Sequence, residues 1–336
     1  MITASPHPRL SSPAPDWREL WRDAITDAGE LLQAVGLGDL AGRLPPNDAG
    51  FALRVPRGFV ARMRRNDPAD PLLLQVLPQL AELDQAADFV VDAVGDMDAR
   101  AAHGVLHKYQ GRALLIASGS CAVNCRYCFR RHFPYGDEMA AAGQWRQSLE
   151  HLRQDPSISE LILSGGDPLS LATGKLQELS RGLTELPHIT RLRIHSRLPV
   201  VLPERVDKAL LDWLAALPLQ KVLVLHANHA SEIDASVDQA CARLRQSGVT
   251  LLNQSVLLRG INDTADSLAN LSERLFAAGV LPYYLHQLDR VQGVAHFEVD
   301  DATALQLVDA LRARLPGYLV PRLVREVAGE PSKRPL

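Results

Sequence analysis

From Arg112 onward, short apolar, β-branched runs alternate with longer amphipathic stretches, and no other feature limits the possible folds of this chain so sharply. The runs are Ala113–Ala117, Leu161–Leu163, Leu192–Ile194, Val222–Leu225, Val249–Leu258 and Val280–Leu285. Between them, apolar residues recur at helical spacing, which predicts helices over Gln144–Gln154, Leu176–Leu186, Asp207–Ala216, Ser236–Gln246 and Asp266–Ala278. Six strand–helix alternations with short turns predict a parallel sheet clad in helices. No glycine-rich dinucleotide loop follows the first strand, so the expected α/β fold is an open, partial (β/α)6 relative of the TIM barrel and not a doubly wound sheet.

The first hundred residues read differently, as a helical lead-in. Trp17, Leu20, Trp21, Ala24, Ala28, Leu31, Leu32 and Val35 follow one helical stripe, with Asp16 placed to cap it. A second helix is expected over Pro71–Leu80, bent by Pro78. The organisation is therefore read as a helical region over 1–103, a barrel over 104–317 and a tail over 318–336. The opening MITASPHPRLSSPAPDW carries no apolar signal-like stretch, and no run of about 18 apolar residues follows, so a cytoplasmic protein with no membrane partner is expected. With 36 Lys and Arg against 39 Asp and Glu, there is no basic field to hold a nucleic acid.

In barrels of this kind chemistry sits where strands end. Here those places carry SGSCAVNCRYCFRRHF, SGGDPL, HSRLP, HANH, NQS and YYLHQLD. Cys121, Cys125 and Cys128 stand at C-x3-C-x2-C, close enough for three thiolates to share a soft metal centre, either zinc or an iron–sulfur cluster. A structural zinc site needs a fourth ligand, for which His132 and the distant Cys241 are the candidates; a four-iron cluster on three cysteines leaves one iron open. Spacing alone leaves both readings standing. Gly165, Gly166 and Asp167 follow a strand directly, as a tight turn or as a backbone that lets a ligand approach. His226 and His229 have no HExxH context that would make them a metal pair.

CAVNCRYCF resembles the cluster loop of radical S-adenosylmethionine (SAM) enzymes, with Tyr127 at its aromatic position. CRYCFRR, SGGDPL, SRLPVVLPERV, NQSVLLRGIND, PYYLHQLD and GEPSK, in this order, resemble the lysine 2,3-aminomutase family from about Gly104 onward. The resemblance implies a radical SAM barrel in which Cys121, Cys125 and Cys128 hold a [4Fe–4S] cluster and SAM chelates the fourth iron. It also places Gly165, Gly166, Asp167, His226 and Gln254 around SAM and the cofactor region. Lys333 matches the lysine that joins pyridoxal phosphate (PLP) in that family, although only Gly329 remains of the family's glycine-rich approach to it. Lys108, Tyr109 and Arg112 match the positions that hold the PLP phosphate.

For the substrate, the resemblance implies Arg130 on the amino-acid carboxylate and Asp289 on a distal ammonium, roles that suit a planar fork and a lone carboxylate. Glu326, seven residues before Lys333, stands where longer relatives have Asp. Opposed charges at the two ends favour lysine over glutamate. The implied activity is an isomerase that moves the α-amino group of L-lysine to carbon 3. The short length and the ending EPSKRPL are most similar to members making (R)-β-lysine for elongation factor P, with a reductase or flavodoxin-type electron donor as the implied partner. The rivals are a 2,3-aminomutase for another amino acid and an iron–sulfur electron-transfer or metal-binding module.

Overall fold

The computed structural model describes residues 16–46, 51–136, 138–143 and 145–336, so the opening leader and Gln144, the expected start of a helix, lie outside the described residues. Asp16 caps α1 (Trp17–Arg22), accepting from the Arg18 amide at 2.9 Å. The expected continuation to Val35 is interrupted. Ile25 exchanges two 2.9 Å backbone hydrogen bonds with Val55, and Asp27 caps a new helix, α2 (Ala28–Ala34). α3 (Arg57–Val60) and α4 (Pro71–Leu74) are single turns. The helix expected to reach Leu80 stops at Leu74, and Pro78, which disfavours helical backbone at Leu77, keeps it from continuing further. The lead-in is thus short turns and extended loops, held down by the buried Ile25, Leu31, Leu32, Phe59, Leu72 and Leu73.

The sheet begins with an antiparallel meander, β1 (Arg100–Ala102), β2 (Val105–Tyr109) and β3 (Arg112–Ser118). Lys108 and Tyr109, expected to precede the first strand, are therefore themselves on a strand. The chain then alternates through α5 (Arg146–Gln154), β4 (Glu160–Gly165), α6 (Thr173–Leu183) and β5 (Arg191–Ser196). It continues with α7 (Leu198–Val201), α8 (Lys208–Ala216), β6 (Gln220–His226), α9 (Ala235–Gln246), β7 (Val249–Val256), α10 (Ala265–Ala277) and β8 (Leu281–His286). Each of the six expected apolar runs falls on one of β3 to β8. Beyond them come α11 (Asp301–Arg314), β9 (Arg322–Arg325) and the two-residue β10 (Arg334–Pro335).

Strands β3 to β9 are parallel neighbours in chain order, which makes six β–α units and a seventh parallel strand; β10 returns antiparallel on β9. Among the described residues no backbone ladder joins the two ends of this ten-stranded sheet. The strands carry two different faces because side chains alternate with period two. Leu161, Leu163, Leu192, Ile194, Leu223 and Leu225 join helix residues such as Leu176, Leu179, Trp213 and Val237 in the core. The alternate set, Ile162, Ser164, Arg193, His195, His226 and Gln254 among them, faces the inside of the barrel and lines a cavity there.

Candidate active site

Two adjoining cavities, of about 490 and 130 Å³, occupy the barrel. Lys108, Tyr109, Arg112, Glu326 and Lys333 line the larger one, while Cys121, Cys125, Cys128, Gly165, Gly166 and Asp167 line the smaller. Arg130, His226, Gln254 and Asp289 border both. The residues that the resemblance assigned to the cluster, SAM, PLP and the substrate thus line two adjoining cavities.

The cysteine loop after β3 is gripped from outside the barrel. The Asn124 amide donates to Arg54 O (3.0 Å), its side chain to Ala52 O (3.0 Å), and the Arg126 amide to Gln75 O (2.8 Å). The Arg126 and Arg131 guanidiniums converge on one buried carboxylate, Glu82, at 2.8 Å from Arg126 Nε and 2.8 Å from Arg131 Nη2. Those two arginines hold Glu82 below the usual carboxylate range in spite of its burial. Glu82 and Gln75, from the lead-in, had no signal in the sequence beyond being ordinary polar residues.

Burial and the neighbouring thiols push Cys121 well up and Cys128 to about 11. Three thiols so close do not ionise together unless a positive centre joins them, so the donor set fits an iron–sulfur cluster. Among the described residues no three His, Cys, Asp or Glu side chains gather around a single ion position. Cys241 is buried in α9 and His132 meets Gln292 O, so neither of the two possible fourth ligands borders the cavities.

The turn after β4 lies directly on that loop. Gly165 has φ of +115°, and a Cβ there would stand 2.6 Å from Ser118 O; at Gly166 it would stand 2.7 Å from Ser120 O. The Gly166 and Asp167 amides donate to the same two carbonyls at 2.6 and 2.8 Å. The glycines are thus needed for the backbones to touch. The Asp167 carboxylate is occupied: it accepts from Ser196 Oγ (2.7 Å) and from the amides of Leu169, Arg197 and Leu198 at 2.8–3.1 Å. Burial still lifts it to about 6. Its side chain shapes the loop, and Asp167 lines the smaller cavity with Gly165 and Gly166.

Arg197 is the principal residue overlooked in the sequence, although it stands at a strand end in the HSRLP motif. Its Nη1 donates to Cys125 Sγ at 2.6 Å, and its Nη2 to Gln75 Oε1 (2.6 Å) and to the wholly buried Glu232 (2.9 Å). The guanidinium carbon lies 5.6 Å from the Tyr127 ring centroid.

At the other end of the site, Lys333 precedes β10 and its Nζ donates to Glu326 Oε2. Tyr109 OH donates to the other oxygen, Oε1, at 2.5 Å, and Lys108 Nζ lies 3.7 Å from it. Lys333, Tyr109 and Lys108 together outweigh burial and keep Glu326 low. A buried carboxylate missed in the sequence, Asp96, takes Lys108 Nζ at 2.7 Å and Arg130 Nε at 2.6 Å. Arg130 Nη1 donates to Ser164 Oγ (3.0 Å), which leaves Nη2 without a hydrogen bond among the described residues. The Arg112 guanidinium stacks 4.5 Å from the Tyr109 ring centroid and is likewise without an ion pair among them. An uncommitted cation, a tethered lysine and a cavity within the 300–1,000 Å³ range of small-molecule sites fit PLP with its phosphate.

Between the two ends stand three neutral imidazoles. Burial takes His226 down to about 3 and His195 and His286 well below their ordinary value. Nε2 of His226 and of His286 is buried without a partner among the described residues. His195 and His286, on the strand ends HSRLP and YYLHQLD, went unassigned in the sequence. Asp289 faces both cavities and its carboxylate has no hydrogen bond or ion pair among the described residues; burial raises it to about 7, against the pull of Lys333.

Residues 110–190, which contain the three cysteines, match the family model described as "4Fe-4S single cluster domain". The chain is 51% identical over 325 residues to L-lysine 2,3-aminomutase of Escherichia coli (strain K12), covering 96% of this chain and 94% of that protein. It is 45% identical over 320 residues to L-lysine 2,3-aminomutase of Haemophilus influenzae, covering 95% and 94%. Against L-lysine 2,3-aminomutase of Clostridium subterminale it is 35% identical over 330 residues, covering 96% of this chain and 77% of that one. Identity of this extent along nearly the whole chain, over a barrel that joins the three cysteines to Lys333, means that the chain belongs to the lysine 2,3-aminomutase family of radical SAM enzymes, whose cofactors are a [4Fe–4S] cluster, SAM and PLP.

Proposed function

We propose that this chain moves the α-amino group of free L-lysine to carbon 3, forming (R)-β-lysine, and that the product serves the modification of elongation factor P in the cytoplasm. The observation that carries the reading is Asp289, an unpaired carboxylate that lines both cavities, as Arg130 does. When bound, the cluster and SAM supply a hydrogen-abstracting radical and PLP supplies the ring that stabilises the migrating group.

The chain's own residues hold and orient these parts. Cys121, Cys125 and Cys128 are the cluster ligands. His226 and Gln254, between the cavities, border SAM. Arg112 and Lys108 face the PLP phosphate, and Lys333 Nζ is the amine that carries the cofactor; in the bare protein it donates to Glu326. The free Nη2 of Arg130 takes the lysine carboxylate, oriented by Asp96, and Asp289 takes the distal ammonium. A glutamate side chain would place its second carboxylate against Asp289 and be repelled. A reductase or flavodoxin-type protein supplies the electron. Among the described residues no helix is long and apolar enough to cross a membrane.

The test is anaerobic incubation of the reconstituted, reduced protein with L-lysine and, separately, with L-glutamate, followed by chiral analysis. (R)-β-lysine from lysine alone is expected. Product from another amino acid only would identify a different 2,3-aminomutase, and a cluster that cleaves no SAM would leave an electron-transfer or metal-binding module. Lys333→Ala is expected to lose PLP absorbance on dialysis; unchanged absorbance would remove Lys333 as the anchor.

A further inference from the structure

One cluster ligand differs from the other two in its surroundings. Cys125 Sγ has a guanidinium against it, Arg197 Nη1 at 2.6 Å. Arg197 is itself fixed at three points on different elements, two through the guanidinium and one through its backbone. Its Nη2 reaches Gln75 Oε1 at 2.6 Å, next to α4, and Glu232 Oε2 at 2.9 Å, between β6 and α9. Its backbone amide donates to Asp167 Oδ2 at 2.8 Å, just after β4.

Glu232 is fully buried, and its other oxygen is fully engaged. Oε1 accepts from the amides of Asn228 (2.8 Å) and His229 (3.0 Å) and from Gln75 Nε2 (3.1 Å). A buried ion pair seldom adds net stability over apolar packing, because removing two charges from water offsets their attraction. This one lies beside the sulfur that would carry electron density from the cluster, and it is built from residues outside the cysteine loop.

Resting on the radical SAM reading above, we propose that Arg197 is a positioning residue that donates a charge-assisted hydrogen bond to the Cys125 thiolate, and that the Arg197–Glu232 pair sets the reduction potential of the cluster. Hydrogen bonds and positive charge at cluster sulfurs favour the reduced state, which holds one more electron. Glu232 opposes this by neutralising part of the guanidinium charge. The pair thus has two adjustable parts that push in opposite directions. The electron comes from an external one-electron donor, dithionite in the test, and enters the cluster without any bond forming at Arg197 or Glu232.

The experiment is anaerobic reconstitution of the full chain and of Arg197→Gln, Arg197→Lys and Glu232→Gln, with iron and sulfide counted per chain. Each is then titrated with dithionite, with the reduced cluster read by electron paramagnetic resonance. Arg197→Gln is expected to move the midpoint to more negative potential by at least about 59 mV, a tenfold change in the one-electron equilibrium. Glu232→Gln is expected to move it the opposite way, because it leaves the guanidinium charge unopposed. Arg197→Lys keeps charge without the fork and should fall between the parent and Arg197→Gln.

Midpoints of Arg197→Gln and Glu232→Gln indistinguishable from the parent, at full iron content, overturn the proposal. So does an unchanged midpoint in Arg197→Gln with weakened SAM binding, since the guanidinium would then serve the SAM carboxylate. If Arg197→Gln fails to take up iron, the sign of the Glu232→Gln shift decides. A parent chain that assembles no cluster refutes the radical SAM reading itself, a result separate from either.

Discussion

The Tyr109 hydroxyl donates a 2.5 Å hydrogen bond to Glu326, and in doing so joins residues from the two ends of a sheet that no backbone ladder closes among the described residues. The other Glu326 oxygen takes Lys333 Nζ. The barrel is therefore closed here by side chains, at the place where the larger cavity lies. Tyr109→Phe removes this bond while keeping the ring under Arg112, and is expected to cost about 1–2 kcal/mol in urea unfolding. It should also shorten PLP retention on dialysis. A variant as stable as the parent, holding PLP equally long, would mean the gap is closed by packing alone.

Asp289 links stability to pH. Burial raises it to about 7, so between its ordinary value near 3.9 and 7 the folded chain binds a proton that the unfolded chain releases. The stability this group contributes is full at low pH and is lost as pH rises through about 7. Asp289→Asn should accordingly raise the melting temperature at pH 8 relative to the parent and do so much less at pH 4. The parent's KM for lysine is expected to fall as pH rises through about 7, and Asp289→Asn should raise KM at least tenfold and abolish that fall.

The contact between the turn after β4 and the cysteine loop tolerates no side chain at Gly166, where a Cβ would stand 2.7 Å from Ser120 O. That neighbour is backbone and cannot swing away. Gly166→Ala should cost about 1–3 kcal/mol and lower the iron bound per chain after reconstitution. Full iron content in this variant would show that the two loops can separate without harming the site.

Glu82 makes an equally direct case for the lead-in. Glu82→Gln leaves Arg126 and Arg131 without their shared carboxylate, and about 3–5 kcal/mol of destabilisation is expected. Because Glu82 is held below its ordinary value, its contribution is present above about pH 4.5 and disappears as pH falls through the lowered value. Parent and variant should converge in stability under acid. Divergence at low pH would contradict the ion-pair account.

Some of this was legible beforehand because it rests on local rules. The six apolar runs became β3 to β8, since a buried parallel strand must be apolar on the face its helices cover. The cysteine spacing and strand-end motifs led to one site because strand ends converge in a barrel. Other parts depended on partners distant in the chain. RLRIHS reads as a strand, yet that its Arg193 and His195 line a cavity is decided by curvature, which no local pattern encodes. Arg197 looks like any cation after a strand until Glu232 and Cys125 are brought beside it. The stripe from Trp17 to Val35 broke because Ile25 found a strand partner in Val55 thirty residues on. β9 and β10 are too short to announce themselves, and the pairing of β9 with β8 and of β10 with β9 supplies what their own sequence lacks.

The linear strand order also implies a timetable. The cysteine loop, the segments that grip it from Ala52 to Glu82, and the Arg197–Glu232 pair all precede β9 and β10 in the chain. Synthesis places Glu326 and Lys333 last, so every residue that would hold the cluster is made before the groups that close the gap beside Tyr109.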